Sequence, residues 1–379
     1  MRPRMRMLSC LAFKRRATAA LLGLAMTLAI PLAHAKDYEV LTLGPDDARD
    51  VLVVDASTNT QVFLGVLRDF SALYPNIRLV YTELPTQVLY DAAVTRAEET
   101  PGSLDGPDVV ISSSMDLQAK LANDGLAQPH VSQETLALPG WARWRDEVFS
   151  IGAEAMVMAY NTQALTSEQA PRTRRQLLAM LRDPALPLQG RIGTYDVEHS
   201  GIGYLAATQD TRLDSMAGTL LSAFGANAVV VDSSADETLD RLARGEIALA
   251  YNVLESYALR RIADGAPLAV ARPEDYTLVV SRAAIIPKQA RRPDLAAKFL
   301  DYLLSARGQH IIVRESAMLP VRPLPGANTD GAPLRPVDLG VGLLVYLDEL
   351  KKSYFLRTWH AALCLDCGRP AASLESASE

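Results

Sequence analysis

The sequence predicts an α/β protein of two lobes joined by two crossings, and three observations carry that reading. Strand-like apolar runs alternate with helical periodicities through most of the chain, the pattern of largely parallel sheets. The chain has 379 residues, more than a single core usually organises. Its texture changes near residue 150, and a second long apolar stretch at 276–286 can carry the chain back.

The first element is an export segment. Arg2, Arg4, Arg6, Lys14, Arg15 and Arg16 form a basic start with no acidic residue before Asp37. Thr18 to Leu32 follow as an apolar run shorter than the roughly 20 residues that a spanning helix needs. Ala33-His34-Ala35 places small residues where a signal peptidase reads, so residues 1–35 are expected to be removed before Lys36. The other 344 residues then carry 32 Lys and Arg against 44 Asp and Glu, a net charge of −12. Such a balance disfavours nucleic acid and anionic membrane as partners.

Val51 to Val54 is a short β-branched run of the buried-strand type, ending at Asp55-Ala56-Ser57-Thr58. From Thr60, the residues Val62, Val66, Leu67, Phe70 and Leu73 recur at helical spacing until Pro75 stops them. Ile77 to Tyr81 reads as the next strand, Val88 to Glu98 as a helix, and Asp108 to Ile111 as a third strand. Ser112-Ser113-Ser114 is expected to cap the helix Met115 to Asn123, closed by Gly125. Ala155 to Tyr160 reads as the strand leaving the first lobe.

In the second lobe the spacing predicts a helix over Arg172 to Leu181 and a strand over Arg191 to Tyr195. A Gly- and Ser-containing loop, Glu198 to Gly203, and a further helix follow. Ala228 to Val231 and Ile247 to Tyr251 are strands around the helix Ala235 to Arg244. Tyr276 to Ile286 returns to the first lobe, and Asp294 to Leu304 is an amphipathic helix. Leu319 to Pro336 reads as a wrapping loop and Gly342 to Leu363 as one amphipathic helix. The expected boundaries are 36–158 with 280–363 for the first lobe, 159–279 for the second, and a disordered tail over 364–379.

Ligands of open parallel sheets gather beyond the carboxyl ends of strands, where helix N-termini present unpaired N–H groups. Four loops fit that geometry: Ser57-Thr58-Asn59, Ser113-Ser114, Ser200-Gly201 after Tyr195, and Tyr251-Asn252. Each residue also has a structural reading, since Ser, Thr and Asn are the commonest helix caps and Tyr251 can close a core. No G-x-S-x-G, H-E-x-x-H or P-loop is present, and Gly201-Ile202-Gly203 lacks the third glycine of a dinucleotide fingerprint. With His130, His199, His310 and His360 as the only histidines beyond the export segment, no metal centre or catalytic residue is assigned. Cys364 and Cys367 fit a local disulfide or two idle thiols.

These residues resemble the two-lobed periplasmic substrate-binding proteins of bacterial ABC transporters, type II-like, in the branch of ferric-iron, hexose-phosphate and phosphoglycerate-related binders. The likeness rests on Phe70 to Ile77, Asp108 to Leu117, Lys120 to Gly125, Gly190 to Asp196 with Ser200 to Tyr204, Phe299 to Gln309, and Pro320 to Arg322. It implies a monomer without a cofactor in the periplasm of a Gram-negative bacterium. Its lobes are expected to close on a small-molecule ligand by hinge motion, and its partner is an inner-membrane ABC permease. The alternatives are a sensing subunit that feeds a two-component sensor kinase, and a ferric-ion binder. Ferric-binding members use adjacent tyrosines, and no Tyr-Tyr pair occurs here. The hydroxyl-rich helix starts suit an oxyanion instead: a phosphorylated sugar, phosphonate or carboxylate.

Overall fold

The structure of the protein is a computed structural model that describes residues 38–324 and 333–363. The export segment 1–35, Cys364, Cys367 and the tail 364–379 lie outside the described residues.

Among the described residues, thirteen strands join in one mixed sheet. Its spine runs Val40–Leu43, Ile77–Glu83, Asp50–Ala56, Val109–Ser112, Thr277–Pro287, Val148–Asn161, Leu249–Leu254, Ile192–Tyr195 and Val230–Asp232. Asp50–Ala56 lies parallel to both neighbours in the first half, and Ile192–Tyr195 does the same in the second. Helices fill the connections, as parallel pairing requires.

Two long strands tie the halves together. Val148–Asn161 pairs with Thr277–Pro287 through Phe149 to Ala155, then with Leu249–Leu254 through Met156 to Tyr160. One strand thus serves both lobes, and all of its residues are buried. The sequence signalled only Ala155 to Tyr160, because Ser150, Gly152 and Glu154 interrupt the apolar run. The pairing shifts register between Arg282 and Ala283, an irregularity that re-aims side chains locally.

Other elements differ from expectation for local reasons. Gly201 to Gly203 is the first turn of the helix Gly201–Leu213, and Ser200 caps it by accepting from the Gly203 N–H at 3.2 Å. Glycine content suggested a loop there, but two glycines in a first turn cost little when a cap is present. Within the expected wrapping loop, Leu334–Pro336 forms a short strand parallel to Thr277–Val279. Gly342 to Leu363 is split into a 3-10 segment, Val341–Leu347, and the helix Glu349–Leu363, with Asp348 extended between them. The helices Ala217–Ala226 and Glu255–Ala263 had no counterpart in the sequence reading.

The first core centres on Phe63, Phe70, Phe149 and Phe299, with the Phe70 and Phe299 rings edge to face at 4.8 Å. The second joins Leu177, Leu220, Phe224 and Leu249 to Phe355, Trp359 and Leu363 of the last helix. The C-terminal segment therefore begins on the first core at Leu343 and ends on the second. That departs from placing all of 280–363 with the first lobe. Amphipathic spacing shows that a helix buries a face, not against which partner.

This segment passes close to Asp116, in the first turn of Met115–Asn123 and 3% exposed. Burial pushes its carboxyl up to about 7, against weaker opposing pulls from backbone N–H groups and Lys352. Its native pKa exceeds the unfolded value of about 4. Its contribution is therefore complete below pH about 4 and is lost as pH rises to about 7. Asp116→Asn is expected to raise unfolding free energy at pH 8 by about 2–4 kcal/mol and to change it little at pH 4. Urea titrations at both pH values check this, and an equal change at both would contradict it.

Candidate functional site

The two lobes meet across the carboxyl ends of their parallel strands. The Asn59 backbone N–H donates to Tyr257 Oη at 2.9 Å, and the Gly201 N–H donates to Thr86 Oγ1 at 3.1 Å. Each bond joins a helix start in one lobe to a side chain from the other. A Cβ at Gly201 would lie 2.2 Å from Ser114 Oγ and 2.8 Å from Thr86 Oγ1, so glycine lets the lobes approach without displacing these side chains. The structure is that of a closed pair of lobes.

Several helix starts expected to face a ligand are satisfied within the protein. Asn59 Oδ1 accepts from the Gln61 and Val62 N–H groups, and Glu83 Oε2 accepts from the Thr60 N–H at 2.6 Å. Ser57 Oγ accepts from the Ser113 N–H at 3.0 Å, and Ser112 Oγ from the Ser114 N–H at 3.1 Å. Ser114 occupies the cap position of Met115–Asn123, but its side chain makes no capping bond. Asn59 and Ser200 act as caps, and Ser57 and Ser113 hold each other.

Tyr251 and Asn252 go to a different cluster. Tyr251 Oη donates to Asp210 Oδ2 at 2.7 Å and accepts from Arg174 Nε at 2.7 Å, while Asn252 Nδ2 donates to Asp210 Oδ2 at 2.6 Å. Arg174 also bonds to Asp275, the Tyr276 carbonyl and Asp210 Oδ1, and its guanidinium lies 3.6 Å from the centre of the Tyr276 ring. This network pins the second lobe to the returning crossing. It also walls one side of a cavity of about 190 Å³ under the last helix, lined by Phe224, Tyr346, Phe355 and Trp359. The charged groups of that wall are paired with one another, so the cavity is a packing feature of the second core.

A charged pair with unmatched polar atoms lies at the lobe junction. Arg282 is completely buried on Thr277–Pro287, and its Nη2 donates to Glu154 Oε1 on the neighbouring long strand at 2.5 Å. Among the described residues, Arg282 Nε and Nη1 and Glu154 Oε2 have no hydrogen-bond partner. The guanidinium lies 5.9 Å from the ring centre of Tyr257, whose hydroxyl accepts the Asn59 bond between the lobes. Burial works against its charge, but Glu154 and the Tyr257 and Tyr81 hydroxyls outweigh that and hold it firmly protonated. Buried hydroxyls of Thr58, Ser114, Tyr195 and Ser256 are likewise without partners. Thr58 is tied to this group, because its carbonyl accepts from Tyr81 Oη at 2.7 Å. Burial raises the Tyr195 hydroxyl and pushes Tyr257 up to about 12, so both phenols are neutral donors.

Of the residues expected from sequence, Thr58, Ser114 and Tyr195 thus offer free polar atoms near the lobe junction. Ser57, Asn59, Ser113, Ser200 and Gly201 frame them. Arg282 and Glu154 were missed. Their signal was a lone charge inside an otherwise apolar strand, which a buried sheet tolerates only with a partner.

A two-lobed α/β frame with hinge strands and polar groups converging between the lobes defines a small-solute binder. The chain belongs to the bacterial extracellular solute-binding protein family, which matches residues 51–315. The substrate-binding protein of an ABC transporter from Agrobacterium tumefaciens is 33% identical, with a TM-score of 0.81 over 86% of this chain and 98% of that one. The periplasmic binding protein AfuA from Actinobacillus pleuropneumoniae, solved with fructose-6-phosphate, shares the fold at 19% identity and a TM-score of 0.68, covering 84% of this chain and 99% of that one. An uncharacterized protein of Haemophilus influenzae is 26% identical over 226 residues, 56% of this chain. The chain spans 63% of that relative's length.

Proposed function

We propose that the protein is the periplasmic solute-binding component of an ABC uptake system, capturing a small oxyanion between its lobes and presenting it to an inner-membrane permease. The observation that carries this reading is Arg282, wholly buried at the lobe junction with two donors unpaired. Arg174 is equally buried, yet its guanidinium is held by four protein acceptors and serves as structure. A buried guanidinium with free N–H donors suits the oxygens of a carboxylate or phosphate. Thr58, Ser114 and Tyr195 supply further donors, and lobe opening releases the Asn59 and Gly201 N–H groups for exchange with ligand.

In this reading the protein is exported, binds without turnover, and acts as a monomer with lobes near 36–158 with 280–348 and 159–279, the last helix packing on the second lobe. A phenolate iron site of the ferric-binding type is disfavoured, because the chain has no adjacent tyrosine pair. The test is a thermal-shift screen of phosphorylated sugars, phosphonates, carboxylates and ferric citrate. A ligand specific to the native state raises the melting temperature with concentration. At a thousand times Kd the stabilisation is about 4 kcal/mol. Stabilisation by ferric citrate and by no oxyanion would replace this reading with iron binding.

A further inference from the structure

The unpaired oxygen of Glu154 says more about the ligand than Arg282 alone. Resting on the oxyanion reading, we propose that the ligand is an anion carrying its own hydrogen-bond donor beside the charged group, a hydroxyl or an ammonium that satisfies Glu154 Oε2. Glu154 is 2% exposed and Arg282 is 0% exposed, and they touch through one oxygen and one nitrogen. The remaining Oε2, Nε and Nη1 have no hydrogen-bond partner among the described residues. A bare anion can accept from a free N–H of Arg282 but meets the Glu154 carboxylate with its own lone pairs, so it leaves a buried acceptor unmet and adds like-charge repulsion. A molecule with a donor adjacent to its anionic group can answer both residues, accepting from Arg282 and donating to Glu154.

Other buried, unpaired hydroxyls support the same reading. Thr58, Ser114, Tyr195 and Ser256 can each accept as well as donate, so they fit a ligand bearing several hydroxyls. Glu154 is therefore assigned as a specificity-determining residue that rejects donor-free anions. A site built around a substrate hydroxyl or amine discriminates strongly against the analogue lacking it, because its buried partner is then stranded.

Two matched series test this by calorimetry on the full chain. One is ethyl phosphate, 2-hydroxyethyl phosphate and 2-aminoethyl phosphate; the other is propionate, 3-hydroxypropionate and 3-aminopropionate. Within the series that binds, a donor-bearing member is expected to exceed the bare anion by at least about tenfold. Whether hydroxyl or ammonium leads identifies the donor. Glu154→Gln is expected to collapse that gap, weakening the donor-bearing member and strengthening the bare anion, since Gln removes the repelling charge. Bare anions binding as well as their donor-bearing partners to the native protein would overturn the proposal without need of the variant. A gap unchanged in a folded Glu154→Gln protein would overturn it too. Failure of every member to bind the native protein would instead overturn the oxyanion reading on which it rests.

Discussion

Arg282→Met is expected to reduce affinity for the oxyanion that most stabilises the native protein by about 30-fold to several thousand-fold. Removing one side of a buried, hydrogen-bonded charge contact costs about 2–5 kcal/mol. The same substitution strands the Glu154 carboxylate in a site where it is 2% exposed. Breaking a buried pair on one side destabilises by about 3–5 kcal/mol, so the variant should also unfold more easily. These two effects separate in the double variant Arg282→Met with Glu154→Met. Replacing both partners by apolar groups of similar volume restores most of the stability. It restores no anion affinity, because the guanidinium donors are still missing. Denaturant melts and calorimetry on the two variants give both quantities. Affinity within about threefold of native in either variant would remove Arg282 from the site.

The frame of this protein was legible because parallel sheets write themselves plainly. Val51 to Val54, Ile77 to Tyr81 and Asp108 to Ile111 are dense in β-branched residues, and each is followed by a helix-start residue or a helical period. The loops at their carboxyl ends were equally legible, and the structure gathers Thr58, Ser114, Tyr195, Ser200 and Gly201 at one junction. What the sequence concealed is which of their groups are spent locally. Asn59 and Ser200 carry side-chain caps on their own helices, and Ser57 holds the Ser113 amide. Such contacts depend on angles that a pattern of hydroxyls does not encode. Tyr251 and Asn252 were drawn away by Asp210 and Arg174, residues 36 positions apart in sequence. Arg282 and Glu154 were hidden for the opposite reason. Each sits in a run that otherwise reads as apolar strand, and only the antiparallel pairing of the two long strands reveals one as the other's partner.

Gly201→Val is expected to hold the lobes apart without unfolding either, and to lower ligand affinity by about a hundredfold. Gly201 is the first residue of its helix and has no positive φ, so its backbone accepts a side chain. The obstacle lies across the junction. Even a single Cβ would stand 2.2 Å from Ser114 Oγ, 2.8 Å from Thr86 Oγ1 and 3.2 Å from Ser114 Cβ. The Ser114 hydroxyl has no partner among the described residues and can rotate away, so alanine is a mild test; the two γ-methyls of valine have no such escape. The clash exists only in the closed state, and so it shifts the open–closed balance. Apparent affinity falls in proportion to the closed fraction, so lowering that fraction a hundredfold lowers affinity about a hundredfold. Because both cores are untouched, the ligand-free melting temperature should stay near the native value. Small-angle scattering supplies the discriminating measurement. The native protein is expected to contract when saturated with ligand, while Gly201→Val keeps its ligand-free radius of gyration. Ser114→Gly in the same chain should recover part of the contraction, because it removes the Cβ and Oγ nearest the new side chain. A valine variant that binds and contracts like the native protein would mean that the contact between Gly201 and Ser114 does not govern closure.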